Sequence, residues 1–321
     1  MRREIGSEFW DIPIAEKNNL FPENTCWFVS GRSALKAIIR DGKFSSVAIP
    51  DWCCESMIEP FLDEGVAVSF YPAFDKEICT DAEAVFVIDY FGYTQNNRLN
   101  NFGGIVIRDI THSLFSSARN DADYYFGSLR KWAGFATGGF AWGFKSPISY
   151  EGEFPDFIRL KKTAMTDKKA YINEETDVAD YSDNYAVAED MLEHVGVFPA
   201  DSDEVEISSK LDADFIKTRR RENAKILLDA FGDIAIFPEL KDDDCPLFVP
   251  IKVKERNELR AHLTQKEIFC PFHWPKSSYH TEVSPETEEV YNCEVSLVCD
   301  QRYDETHMNR IVKEIRSFAR L

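Results

Sequence analysis

The chain has 321 residues, 44% of them hydrophobic and 13% aromatic, and a formal net charge of −19. That apolar content is ample for one large α/β domain with a smaller partner, and it excludes global disorder. So large an acidic excess excludes nucleic acid and anionic membrane surfaces as partners, because both demand clustered cations.

In chain order, "MRREIGSEFWDIPI" lacks the apolar core of a secretory leader. "GRSALKAIIRD" then places Ala34, Leu35, Ile38 and Ile39 at helical spacing, and "SSVAIP" reads as a short buried strand closed by a proline. "CCESMIEPFLDEG" reads as a helix ended by Gly65, with Pro60 either kinking it or standing in its first turn. Strands follow at "VAVSFYP", "AVFVIDYFG" and "GGIVIRDIT". Apolar strands of this kind, separated by helices, predict a parallel sheet covered on both faces. From about 149 to 203 the sequence becomes charged and helical in its spacing. A long helix over 212–231 ends on Gly232 as a C-terminal cap and forms the natural hinge. Beyond it lie a strand at "CPLFVPIKV", a helix at "ERNELRAHLTQKEI", a strand at "EVSLVCDQRY" and a closing helix. The expected division is a large α/β domain over 1–210, including the helical segment, and a small α+β domain over 211–321. No window approaches the run of apolar residues that a membrane helix requires.

The eight cysteines (26, 53, 54, 79, 245, 270, 293 and 299) are scattered and form no CxxC pair. They are expected to be reduced and mostly buried, in a cytoplasmic protein with no metal site. Only the adjacent pair Cys53–Cys54 stands out.

Four features fall where open α/β sheets build their sites, at strand ends and helix starts. Gly31 and Ser33 open a helix, which is either an ordinary cap or an anion site. Asp109 ends the run "GGIVIRD", with His112 three residues on. Trp52 follows "VAIPD", as core or as a platform for a ring. Lys131 stands beside Arg130 in "GSLRKWAGFATGGF", three residues after Ser128 and before Gly138–Gly139. It is either a surface lysine at the end of a strand or an amine held for chemistry.

In their order and spacing these features resemble the fold-type-I pyridoxal-phosphate enzymes, and specifically the DegT-like sugar aminotransferase family. The resemblance runs through "SGRSAL", "VFVIDYFGY", "IRDITHSLF" and "GSLRKW…GGF", and more faintly through "RRRENAKIL", "PLFVPIKV" and "HWP". It implies an α/β fold with a mostly parallel, seven-stranded sheet in the large domain, and pyridoxal 5'-phosphate as cofactor. Lys131 would be the Schiff-base residue and acid/base, its amine activated by burial beside another cation. Asp109 would hold the proton on the ring nitrogen, and His112 would lie beside the cofactor hydroxyl. Gly31, Arg32, Ser33 and Ser128 would cradle the phosphate, and Trp52 would stack on the ring. The implied reaction moves an amino group from glutamate or glutamine to a keto sugar; Arg302, after a predicted strand of the small domain, is either the fork for the donor carboxylate or a surface arginine paired with Asp300 or Asp304. The implied assembly is a homodimer; the apolar residues Tyr150, Phe154, Phe157 and Tyr185, set among charges, would find burial either against that partner or on the long helices of the same chain. The chain departs from the family in Arg32 after Gly31, in Ser128 at minus three from the lysine, and in its shorter length. A lyase or desulfurase using Cys53–Cys54, and a regulatory protein of this fold without turnover, are the alternatives.

Overall fold

The computed structural model describes residues 4–16, 20–95, 98–99, 102–116, 120–177 and 181–318. After β1 (Ile5–Gly6), the large unit is laid down as β2 (Cys26–Phe28), α1 (Gly31–Gly42), β3 (Ser46–Pro50), α2 (Glu55–Asp63), β4 (Ala67–Tyr71), β5 (Glu77–Ile78), β6 (Ala84–Ile88), β7 (Arg98–Leu99), β8 (Ile105–Asp109), β9 (Tyr124–Ser128) and β10 (Gly139–Trp142). Seven of these strands form one sheet in the order β2-β10-β9-β8-β6-β3-β4. Only β10 runs against the rest, pairing antiparallel with both β2 and β9. The reason is in the side chains. β6 and β9 are buried at every position, as strands covered on both faces must be. Ile38, Ile49, Phe61, Phe86 and Phe126 pack together in the core between sheet and helices.

One close approach sets the geometry of the site. Gly139, the first residue of β10, passes so near α1 that a Cβ on it would lie 2.2 Å from the Ser30 carbonyl oxygen. Gly138 before it has a φ of +104°, which favours glycine. The pair therefore brings the start of α1 against the ends of β9 and β2, since Gly139 is in register with both Ser128 and Phe28.

The helical segment follows as α3 (Pro155–Ile172), α4 (Tyr181–Asp190) and α5 (Ser202–Ser208). After α6 (Ala213–Phe231) come β11 (Phe248–Lys252), α7 (Arg256–Gln265), β12 (Ile268–Phe269), α8 (Pro285–Cys293), β13 (Glu294–Val298) and α9 (Glu305–Ser317). Leu227, Ile251, Leu297 and Ile311 form a second core, which Ile5 joins because β1 pairs with β12.

Several details differ from the sequence reading. Pro60 lies well inside α2 rather than in its first turn, and Gly232 caps α6 with an ordinary right-handed φ of −60°. The helix α8, behind a Ser284 cap and Pro285, was not anticipated, because "PETEEVYNC" is short and mostly polar. Phe157 and Tyr185 are buried within this chain, which corrects the reading that gave them a partner for burial; Tyr150 stays exposed. All eight cysteines are unpaired. No described helix is long and apolar enough to cross a membrane.

Gly139→Ala places a methyl where no movable atom stands, so denaturant unfolding should show a loss of roughly 1–3 kcal/mol. Unchanged stability would mean that β10 and α1 are not held this closely.

Candidate active site

At the C-terminal edge of the parallel strands a cleft of about 590 Å³ opens between the sheet, α3 and α4, and the C-terminal unit. Of the residues singled out in sequence, Gly31, Arg32, Asp109, His112, Ser128 and Lys131 all line it. Residues far apart in the chain meet there because one strand edge gathers them.

Lys131 ends a single 3-10 turn, Leu129–Lys131, immediately after β9. Its neighbour Trp132 fixes the turn. Trp132 is fully buried, its indole N–H donates to the Thr111 carbonyl at 2.7 Å, and its own carbonyl accepts from Gln301 Nε2 at 2.5 Å. The lysine side chain is left exposed to the cleft, and among the described residues it has no hydrogen-bond or ion-pair partner. Arg130 does not share its environment as expected. The guanidinium turns away to an ion pair with Glu189 of α4 and lies 5.7 Å from the centre of the Phe157 ring. Burial opposes the charge on Glu189, but Arg130 and Lys161 offset it and hold that carboxyl at about 2.

Asp109 ends β8 with 3% of its surface exposed. Its Oδ1 accepts from the Thr111 N–H at 2.8 Å, and the Thr111 side chain also bonds the carboxylate. Burial, with the Asp89 carboxylate nearby, pushes the group up to about 6, although Thr111 and Lys131 favour its charged form. Such a carboxylate is suited to receiving a proton from a buried cationic donor. His112 is 4% exposed, and its Nδ1 has no partner. Burial and then Lys131 lower it to about 3, so the imidazole is neutral at ordinary pH.

The start of α1 is built for an anion. Ser30 is the cap, and its Oγ accepts from the Ser33 N–H at 3.2 Å. The N–H groups of Gly31 and Arg32 stand in the first turn, where helices leave donors without intrahelical partners. Arg32 Nε is buried without a partner, and Ser128 adds a hydroxyl to the same wall. An orphaned guanidinium nitrogen, unused N–H groups and a helix dipole fit a phosphate.

Three expectations are corrected. The Ser33 hydroxyl faces away from the cleft, bonded to the backbone of Phe198 as both donor and acceptor. Trp52 is wholly buried, stacked on Tyr90 at 4.7 Å and 17°, so it offers no face to a ring in the cleft. Arg302 does reach the cleft, but Asp300 holds its fork at 2.8 and 2.9 Å, and the carbonyls of Ser7 and Glu8 take further donors. Sequence reasoning assigned no role to His273, Trp274, Lys161 or Arg260, which also line the cleft together with Cys54. The dense "FHWP" was the one signal for the first two. Lys161 lies in the segment that read only as charged and helical in its spacing.

Burial makes ionised Asp109 costly. Its folded pKa lies above the ~3.9 of an unfolded aspartate, so the protein without ligand is least burdened below about pH 4, and the penalty grows as pH rises through about 6. Asp109→Asn should therefore stabilise that protein at pH 8 by roughly 1–3 kcal/mol and change little at pH 4. Urea titrations at both values check this, and a destabilised variant at pH 8 would contradict it.

Comparison with solved structures matches this architecture throughout the chain. A Helicobacter pylori aminotransferase, PseC, involved in the biosynthesis of pseudoaminic acid, is 16% identical, with 97% of this chain and 99% of that chain covered at a TM-score of 0.63. A DegT/DnrJ/EryC1/StrS aminotransferase from Brucella abortus is 14% identical, covering 92% and 85% at 0.62. The Streptococcus pneumoniae protein Spr1654, solved in a PLP-form, is 12% identical, covering 91% and 86% at 0.62. No protein-family model and no curated protein sequence matches the chain. The chain has the fold of the DegT-like aminotransferases, a mixed α/β fold around a mostly parallel seven-stranded sheet.

Proposed function

We propose that the protein is a pyridoxal-phosphate-dependent aminotransferase that moves an amino group from an amino acid, glutamate or glutamine, to a keto sugar or related carbonyl compound. One observation carries this reading. A lysine without a partner, a buried carboxyl and the anion-accepting start of a helix converge on one cleft. The similar solved structures, sugar aminotransferases among them, support the substrate class.

The residues present fit the cofactor. The N–H groups of Gly31 and Arg32, the Arg32 side chain and the Ser128 hydroxyl would hold its phosphate, and Asp109 would accept from its ring nitrogen. Lys131 would hold its aldehyde carbon covalently. When bound, the cofactor supplies an electron-withdrawing ring that stabilises negative charge beside the amine being transferred. The chain's own tasks are then narrow. Lys131 Nζ, once released, gives and takes protons within the cleft, with no competing ion pair to restrain it. Asp109 stays ionised through most of the neutral range and keeps a proton on its partner nitrogen. Neutral His112 adds no positive charge beside Lys131 and, stacked on Trp274 at 5.7 Å and 26°, excludes water.

The desulfurase alternative loses its physical basis. Cys53 is fully buried against Tyr291 and His280. Burial raises the Cys54 thiol, whereas a nucleophilic cysteine needs the reverse. A cleft holding the whole set speaks against a protein without turnover. The homodimer rests on the resemblance, the cytoplasmic location on the scattered, reduced cysteines, and the boundary near residue 210 on the change in sequence pattern. Lys161, Tyr185 and Glu189 of this same chain line the cleft beside α3 and α4, so that side is closed without a second copy.

Borohydride treatment with pyridoxal phosphate should fix the cofactor to the wild type at Lys131 and leave Lys131→Ala unlabelled, with turnover reduced by at least 10³-fold. Labelling at another lysine would overturn the assignment.

A further inference from the structure

Another wall of the cleft carries chemistry that the reading above does not use. His273 is held on three sides. Its backbone N–H donates to Glu294 Oε2 at 2.6 Å, its carbonyl accepts from Trp52 Nε1 at 2.7 Å, and its Nδ1 lies 2.8 Å from Ser296 Oγ. Ser296 Oγ in turn donates to Glu294 Oε1 at 2.6 Å. Glu294 is 1% exposed and has no ion-pair partner among the described residues. With Nδ1 turned to the serine, the opposite ring nitrogen, Nε2, has no protein partner among the described residues, and His273 lines the cleft.

We propose that Glu294, Ser296 and His273 form a proton relay, through which His273 Nε2 takes a proton from a substrate group in the cleft while the buried Glu294 carboxylate is neutralised. The nature of that group, the ammonium or hydroxyl of a bound substrate, rests on the amine-transfer reading; the relay itself rests on the geometry. The proton count balances. With Glu294 ionised, Ser296 donates to Glu294, His273 Nδ1–H donates to Ser296, and Nε2 presents a lone pair. When Nε2 gains a proton, the Nδ1 proton passes to Ser296 Oγ, and the serine proton passes to Glu294 Oε1. The imidazole ends neutral in its other tautomer, and the buried charge is gone.

Electrostatics favour this route over an imidazolium. Burial, then His112 and Lys131, hold His273 well below the usual imidazole range. Burial pushes Glu294 up to about 8, even though Ser296, the His273 N–H and the Arg256 and Arg260 charges of α7 favour its ionised form. The remaining titratable neighbours, Cys270 and Cys293, have thiols raised by burial and stay protonated. A proton arriving at Nε2 therefore comes to rest on the carboxylate. Trp52 acts here as a positioning residue, through the His273 carbonyl.

The test is the ring ¹⁵N spectrum of His273 in the full chain labelled at histidine, recorded without added substrate and assigned by its loss in His273→Gln. The wild type should show Nε2–H below about pH 8 and Nδ1–H above it, with no imidazolium between pH 6 and 10. In Glu294→Gln the side-chain oxygen must face the His273 N–H, so its amide donates to Ser296 and locks the ring as Nε2–H at every pH. Ser296→Ala should abolish the switch, and it carries the test if the first variant does not fold. A tautomer indifferent to pH in the wild type, an ordinary imidazolium titration, or a switch that survives Ser296→Ala would each overturn the relay. Steady-state rates above about pH 8, where the wild-type Nε2 is unprotonated, separate it from the functional reading: there Glu294→Gln should lower kcat at least tenfold with KM within about twofold. The switch without amine transfer in the wild type would sustain the relay and defeat that reading; amine transfer without the switch would do the reverse.

Discussion

The hydrogen bond from the Trp132 indole to the Thr111 carbonyl, at 2.7 Å, is the tie on which the cleft depends. It joins the turn carrying Lys131 to the loop that begins at Asp109 and contains His112. The same tryptophan is met from the other side by Gln301, which bonds its carbonyl, and by Arg220, whose guanidinium lies 4.5 Å from the ring centre. Arg220 also donates to Gln301 and to the Leu247 carbonyl. The C-terminal unit thus grips the turn that carries Lys131 through buried polar groups bonded to one another, an arrangement that fixes position where apolar packing alone would allow sliding.

How the chain places charge follows from the same frame. The molecule is strongly acidic, yet its cleft gathers Lys131, Arg32, Lys161 and Arg260. Lys161 is 2% exposed, lies 4.5 Å from the centre of the Tyr185 ring and is paired with Glu189. With Arg130 bound to that same carboxylate, α3 and α4 are fastened against the turn that carries Lys131. Isolated ion pairs at a surface contribute little, whereas a partly buried network of two cations on one carboxylate fixes orientation. Anionic groups of a substrate or cofactor would enter a cleft already biased toward them.

Much of this was legible in the sequence, for a physical reason. Strands buried on both faces are largely apolar, so β6 and β8 could be read from their runs, and Asp109 at the end of β8 followed. Ser33 and Trp52 were misplaced because sequence gives a residue's position along an element and not the direction of its side chain. Ser33 opens the right helix, yet its hydroxyl is taken by Phe198. Trp52 follows the right strand, yet it supports the wall from behind. The relay could not be read, because Glu294 and Ser296 alternate with apolar neighbours in what looks like an ordinary strand. Only the fold shows that their side chains face a histidine more than twenty residues earlier.

The central claim, that this cleft holds pyridoxal phosphate, is tested most directly by a crystal structure of the protein grown with that compound. The account predicts its phosphate on the N–H groups of Gly31 and Arg32, its ring nitrogen against Asp109, and continuous density to Lys131 Nζ. A compound bound elsewhere, or a phosphate away from the start of α1, would contradict it.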